Sequence, residues 1–478
     1  MSARLALSLA LFTGIAVAQP YDTPPAVGAP RAIVIEAPEV IVLGNGLRVV
    51  VAKRTSLPLV TAELVVRSGT ETDPRDLAGL ADLTATLLTK GTAKRTAPQI
   101  ADAAEALGGT LDSGAGWFQS FVSMTVTKPQ AGKALALIAE VALTPRFAGD
   151  ELERARKLAL DGLSVALRDA GSLARLAADR AAFGDGTFGH PAHGTPGSLT
   201  RVRRADIVAQ HARFYRPDNA TLVLVGDIDA AQGRQLAQAA FGAWKRPAAA
   251  MPLPREAEAK ATAAAPVVIA MQGSGQAGVA MAAPSIARAA PDYYAGVVAN
   301  TLVGGGYSSR LSQEIRIKRG LSYGIFSRLD ARRTGGVWSL AAQTKNESAP
   351  ELIAVTLDEI RRASESLAPV DEIEARKLTV IGGTSRRFET TESLATLIAS
   401  LEANGVPLTD LPRTLDALNA VTPQQVQDFA KAHFAIGSLS IVVAGDAAKF
   451  ADALRAKYPD LRVIPQADVD LDRATLSK

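Results

Sequence analysis

Three anchors recur in one order along the chain. Asp150-Glu151-x-Glu153-x-x-Arg156-Lys157 returns as Asp371-Glu372-x-Glu374-x-Arg376-Lys377, which sets Lys157 and Lys377 220 residues apart. His211-x-x-Phe214, before a run ending in Gly226-Asp227, returns as His433-Phe434 before Gly445-Asp446, at separations of 220 for the Phe pair and 219 for the Asp pair. Such a period marks two copies of one domain, each carrying the same helix and strand in the same order. Residues 247–266, rich in Pro, Ala and charge and without apolar periodicity, read as a linker between them. The expected copies are 40–246 and 267–465, with 19–39 as an N-terminal extension and 466–478 as a tail.

Within the first copy, Asn45-Gly46 separates two β-branched runs between Val40 and Lys53, a hairpin signal. A strand is expected in the run from Leu57 to Gly69, a helix over Asp76–Lys90, and a second helix from Ala97 closed by Gly108-Gly109. Phe121–Thr127 and Ala220–Val225 read as further strands, Gly149–Leu167 as a helix. Helices mixed with strands in two copies give an α+β expectation, and the 47% apolar content is ample for two cores.

Residues 1–18 carry Arg4, an apolar run Leu5–Val17 and small residues at Ala16 and Ala18, the pattern of a secretory signal peptide. The apolar run is too short for a bilayer span. An exported, periplasmic protein without a membrane anchor is expected. A net charge of +4 spread over 478 residues is too dilute for a nucleic-acid footprint. The chain has no cysteine, which removes thiol nucleophiles, disulfides and thiolate metal sites, so any metal would sit on His or carboxylate.

The stretches Gly44-Asn45-Gly46-Leu47-Arg48-Val49, Arg67-Ser68-Gly69-Thr70 and Gly79-Leu80-Ala81 through Lys90-Gly91-Thr92 resemble the pitrilysin, insulysin and mitochondrial processing peptidase family. Gly194-Thr195-Pro196, Phe214-Tyr215-x-Pro217-x-Asn219 and the run from Gly304-Gly305-Gly306 to Tyr323 follow in the family's order. The resemblance implies two halves of ferredoxin-like α/β repeats arranged as a clam shell. The family's chemistry places His-x-x-Glu-His on one helix, where imidazoles at i and i+4 grip zinc and the Glu serves as general base, with a distal Glu ligand further on. The resemblance puts Asp82, Ala85 and Thr86 at those helix positions and Gly162 at the distal one. Ala85 transfers no proton and Thr86 offers no imidazole, so no metal and no catalytic residue is expected in this chain alone.

Four His remain, at positions 190, 193, 211 and 433. His190-x-x-His193 with Asp185 has the composition of a relocated metal or hydrolytic site, but its Gly- and Pro-rich loop has no helix to align both rings. Loop-structuring side chains are the stronger expectation, and His211 and His433, near helix ends, read as structural. Gly304-Gly305-Gly306 lacks the Lys-Ser/Thr of a phosphate loop and fits either a gating, partner-contacting loop or a tight turn between helices.

In the family, an Arg and a Tyr seven apart reach from the second half toward a substrate at the zinc; Arg316 and Tyr323 match them. A phenol donates to a developing oxyanion and a guanidinium binds a peptide carbonyl. The resemblance thus implies a noncatalytic, substrate-binding subunit of a heterodimeric metallopeptidase. A homologous partner carrying His-x-x-Glu-His would bring the zinc and the base, and the substrate would be an unfolded or extended polypeptide. The rival expectation is a structural or peptide-binding pseudo-peptidase with no hydrolytic role.

Overall fold

In the computed structural model, residues 35–251 and 265–478 are described. The signal peptide and most of the N-terminal extension, like residues 252–264 of the linker, lie outside the described residues.

The first half contributes β1 (Glu39–Val42), β2 (Arg48–Lys53), β3 (Leu59–Val66), β4 (Leu111–Ala115), β5 (Ser120–Thr127) and β6 (Ala220–Gly226) to a sheet of order β1-β2-β6-β3-β5-β4. The second contributes β7 (Val267–Ala270), β8 (Ala277–Ser285), β9 (Ile325–Arg332), β10 (Gly335–Thr344), β11 (Ser440–Gly445) and β12 (Arg462–Pro465), in the order β12-β7-β11-β8-β10-β9. The two sheets superpose in topology strand for strand from β2-β6-β3-β5-β4 to β7-β11-β8-β10-β9. They differ at one edge: β1 pairs antiparallel with β2, whereas β12 pairs parallel with β7. The expected α+β fold of two homologous halves is therefore present.

Local chemistry explains several elements. At the β1–β2 turn Gly46 adopts φ +94°, and the Asn45 amide donates to the carbonyls of Phe241 and Trp244 at 2.8 and 3.0 Å. The turn is thereby tied to the end of the helix Ala230–Phe241. The helix expected over Asp76–Lys90 is shorter, Leu80–Leu87. Pro74 and a left-handed Gly79 at φ +88° divert its start into short 3₁₀ turns. The buried Asp73 carboxylate caps that start, accepting the N–H of Gly79 at 2.8 Å and of Ala81 at 2.9 Å.

Both faces of β6 are buried, and they face different halves. Leu222 and Leu224 join the first half's own core with Leu64, Leu83 and Ile138. Val223 and Val225 pack instead on Leu394, Ala395, Ile398 and Ala399 of the helix Thr391–Ala403, which belongs to the second half. The helix Ala170–Phe183 makes the reciprocal crossing, laying Leu173, Ala174 and Ala177 on Ala280, Ala282, Val442 and Ala444 of the second sheet. The halves close on one another by exchanging equivalent helices. The exchange needs close backbone approach, since a Cβ on Gly278 of β8 would lie 2.3 Å from the carbonyl oxygen of Ala170.

Polar contacts lock the exchange. Arg48 binds Glu402 through two nitrogens at 3.0 and 2.9 Å, and Arg333, at the β9–β10 turn, reaches the buried Glu71 at 2.8 Å. Residues 466–478 fold back on the first half: Gln466 donates to the Leu167 carbonyl at 2.9 Å, and Arg180 to that of Asp472 at 2.6 Å. No described helix is long and apolar enough to cross a membrane.

Candidate functional site

The four positions matched to the zinc motif do not converge on a metal set. Asp82 is half-buried, Ala85 is fully buried, and Thr86 is half-buried on the same helix. Gly162 lies on the exposed outer part of the helix Gly149–Ala166, where a Cβ would meet nothing within 4 Å. One imidazole does come to the helix, from outside it: His193 Nδ1 lies 3.3 Å from Asp82 Oδ2. The contact joins a loop to a helix 111 positions earlier, and nothing in the local sequence announces it.

Asp82 and His193 supply two donors. Among the described residues no three His, Asp or Glu side chains gather closely enough to hold a metal ion. Zinc therefore does not fit this donor set, and no step is derived through it. The hydrogen bond to Asp82 raises the His193 pKa. Asp82→Asn is expected to bring that titration back down toward the ordinary imidazole range, read from the ring C–H shifts in an NMR pH series. An unmoved midpoint would mean the pair does not persist in solution.

The His190, His193 and Asp185 grouping is taken apart. Asp185 accepts from Arg180 at 3.0 Å and pairs with Arg75. His190 is buried beside Trp117, their ring centroids 5.4 Å apart. His211 is hydrogen-bonded to the Ala142 carbonyl at 2.8 Å and His433 to Asp292 at 2.9 Å, both packing contacts.

In the second half, Arg316 and Tyr323 do meet. The helix Tyr293–Val303 ends at the three glycines. A Cβ on Gly304 would lie 2.6 Å from Ser327 Oγ, and one on Gly305 2.7 Å from the Thr301 Cα, while Gly306 has open space around it. The first two glycines thus answer a tight turn between helices, and only the third is free. After the turn, Ser312–Lys318 winds as a π-helix, a rare form that is frequent at functional sites. It is anchored by the buried Leu311 and Ile315 and by a two-pronged Arg310–Glu372 pair at 3.0 and 2.7 Å.

On this turn the Arg316 guanidinium sits between two phenol rings, 4.8 Å from the centroid of Tyr323 and 4.9 Å from that of Tyr307. Tyr323 is 81% exposed and Tyr307 60%, so the cluster stands in solvent with its donors available. Phe326 meets Tyr307 edge-to-face at 5.5 Å. Sequence reasoning missed Tyr307; its place directly after the glycine run was the only signal.

A duplicated α+β scaffold whose metal helix keeps one carboxylate and no imidazole of its own is that of a zinc-peptidase homologue without its catalytic ligands. The chain belongs to the M16 peptidase family: residues 48–192 match the family described as Insulinase (Peptidase family M16), and residues 201–379 the one described as Peptidase M16 inactive domain. It is 28% identical over 401 residues to an uncharacterized zinc protease of Mycobacterium bovis, covering 83% of this chain and 90% of that one. It is 23% identical over 394 residues to the non-peptidase homolog YmxG of Helicobacter pylori, covering 82% and 90%. A crystal structure of a peptidase M16 inactive domain from Pseudomonas fluorescens superposes with a TM-score of 0.78 at 25% identity, over 85% of this chain and 98% of that one. The match to the peptidase M16 inactive domain and the likeness to a non-peptidase homolog support a noncatalytic member of the family.

Proposed function

We propose that this chain is the noncatalytic, substrate-binding subunit of an exported heterodimeric zinc metallopeptidase. It contributes Arg316 and Tyr323 to a site whose zinc and general base come from a homologous partner carrying His-x-x-Glu-His. The observation that carries the reading is the exposed Tyr307–Arg316–Tyr323 cluster, held on a braced turn in a chain whose helix Leu80–Leu87 carries no imidazole and no general base of its own. Aromatic rings on both sides restrict the guanidinium, so less rotamer freedom is lost when it binds a carbonyl. The Tyr323 hydroxyl is free to donate to charge building on a scissile carbonyl. The substrate is an extended polypeptide, which pairs by strand addition at a sheet edge. Export rests on the leader pattern of residues 1–18.

The test is metal analysis with fluorogenic-peptide cleavage, on this chain alone and mixed with a homologous subunit bearing the intact motif. Hydrolysis only in the mixture is expected. Stoichiometric zinc with hydrolysis by this chain alone would overturn the reading. Silence in both conditions would transfer it to a structural or peptide-binding pseudo-peptidase.

A further inference from the structure

Glu63 is a carboxylate in the middle of a central strand, 3% exposed, with no cationic partner among the described residues. Its neighbours Ala62 and Leu64 point into the first core, so Glu63 points to the opposite face, away from the helix Leu80–Leu87. The sheet register sets Glu63 beside Ser123 and Ser123 beside Asp112, with Thr61 beside Thr125 in the adjacent row. Three strands thus present polar side chains together on one face, where a packing surface would be apolar.

The exchanged helix Thr391–Ala403 covers this face over β6 and β3 and brings Glu392 and Thr396 to its border. Beyond that border a groove of about 710 Å³ opens over β3, β5 and β4. Its ionisable lining residues are Glu63, Glu105, Asp112 and Glu392, all acidic. The Thr396 hydroxyl hydrogen-bonds Glu63, and Glu392 repels it. Gln119 lines the same groove, and its Oε1 is buried with no hydrogen-bond partner among the described residues. Phe121, on the same face as Ser123, supplies apolar surface beside these acceptors. Buried acceptors without a counter-charge are costly when the groove is empty, and a cation that enters relieves them.

We infer that this groove binds an organic cation, an alkylammonium or guanidinium group that pairs with Glu63 while its stem lies along Phe121. The charge has two chemical sources, a Lys or Arg side chain of a polypeptide or a free diamine. β4, with Asp112, forms the outer edge of the sheet, and a segment added there would place alternate side chains on the groove's face. The inference is independent of a catalytic partner, because it uses the sheet face opposite Asp82 and none of the Arg316 cluster.

Burial and Glu392 push the Glu63 pKa up to about 7. The other titratable groups facing it, Asp112 on β4 and Glu105 at the end of the helix Ala97–Glu105, are acids as well. Binding therefore strengthens as pH rises through about 7, with release of the Glu63 proton.

Calorimetric titration of the full chain at about pH 8, where Glu63 is ionised, tests this with three probes: a blocked Ala-Lys-Ala peptide, its norleucine counterpart, and putrescine. A cationic probe is expected to bind and the norleucine peptide not to. Glu63→Gln should weaken binding about tenfold or more, and Glu392→Gln by less. Binding of the Lys peptide alone identifies a polypeptide side chain as the source, and binding of putrescine a free diamine. Absence of binding by both cations, equal binding of the norleucine peptide, or unchanged affinity in Glu63→Gln would overturn the inference. Glu63→Gln also reports its own folding. A carboxyl whose folded pKa is raised above its unfolded value contributes less stability as pH climbs through that window, so the amide should melt at or above the native temperature at about pH 8.

Discussion

Tyr323→Phe, which keeps the ring against Arg316 and removes only the hydroxyl, is expected to lower kcat/KM of the reconstituted heterodimer about 10²–10³-fold, the scale seen when a preorganised donor to a developing oxyanion is removed. Arg316→Ala, which removes a charged hydrogen-bond donor to a peptide carbonyl, should cost less, about 10-fold or more. The effect belongs in kcat if the groups act on the transition state and in KM if they only hold substrate, so steady-state kinetics separates the roles. Tyr307 is a positioning residue. Tyr307→Leu should lose about two- to fivefold through the missing ring face, and Tyr307→Phe should restore it, since cation–π attraction needs the ring and not the hydroxyl. Peptide cleavage by the pair that is unchanged in Arg316→Ala and Tyr323→Phe would show that this chain brings no group to the reaction.

Ala395→Asp should unfold the half in which it does not reside. Ala395 has no exposed surface and packs on Val223 and Val225 of β6, which are fully buried too. An aspartate there is a carboxylate in an apolar layer with no cation in reach, a change of about 3–5 kcal/mol, a large fraction of a domain's stability. Hydrogen exchange locates the damage: amides of β3 and β6 in the first sheet should lose protection together with the helix Thr391–Ala403. Protection lost in the helix alone would mean that the two halves are independent. Ala174→Asp is the mirror experiment, exposing β8 and β11 of the second sheet.

The duplication and most strands were legible because a period and an alternation are local properties of sequence. The Asn45-Gly46 hairpin is an example, since Gly46 takes the positive φ that its turn needs. The helix expected over Asp76–Lys90 lost its first turn because Gly79 adopts φ +88° and Asp73, seven residues before the first helical residue, does the capping. The helix exchange was not legible. Apolar spacing in Leu394-Ala395-x-x-Ile398-Ala399 shows that one face is buried and does not say against which sheet. The His193–Asp82 contact, joining residues far apart in sequence, was hidden for the same reason. Glu63 stood in view as an acid within an otherwise apolar strand, but only the register with Ser123 and Asp112 gives it neighbours.

The crossed helices impose a timetable on synthesis. The first sheet is complete once Gly226 has been made, yet Val223 and Val225 stay bare until Ala403 leaves the ribosome. At about 5–20 residues per second the intervening stretch takes roughly 10–30 s, far longer than the microseconds in which a small chain collapses. For that interval the nascent chain carries a sticky sheet face with no intramolecular occupant, so it must be shielded by a chaperone or kept unfolded until its last third arrives. A gene cut between the two copies would yield two such faces and no folded product, which ties the copies together as one inseparable unit of inheritance.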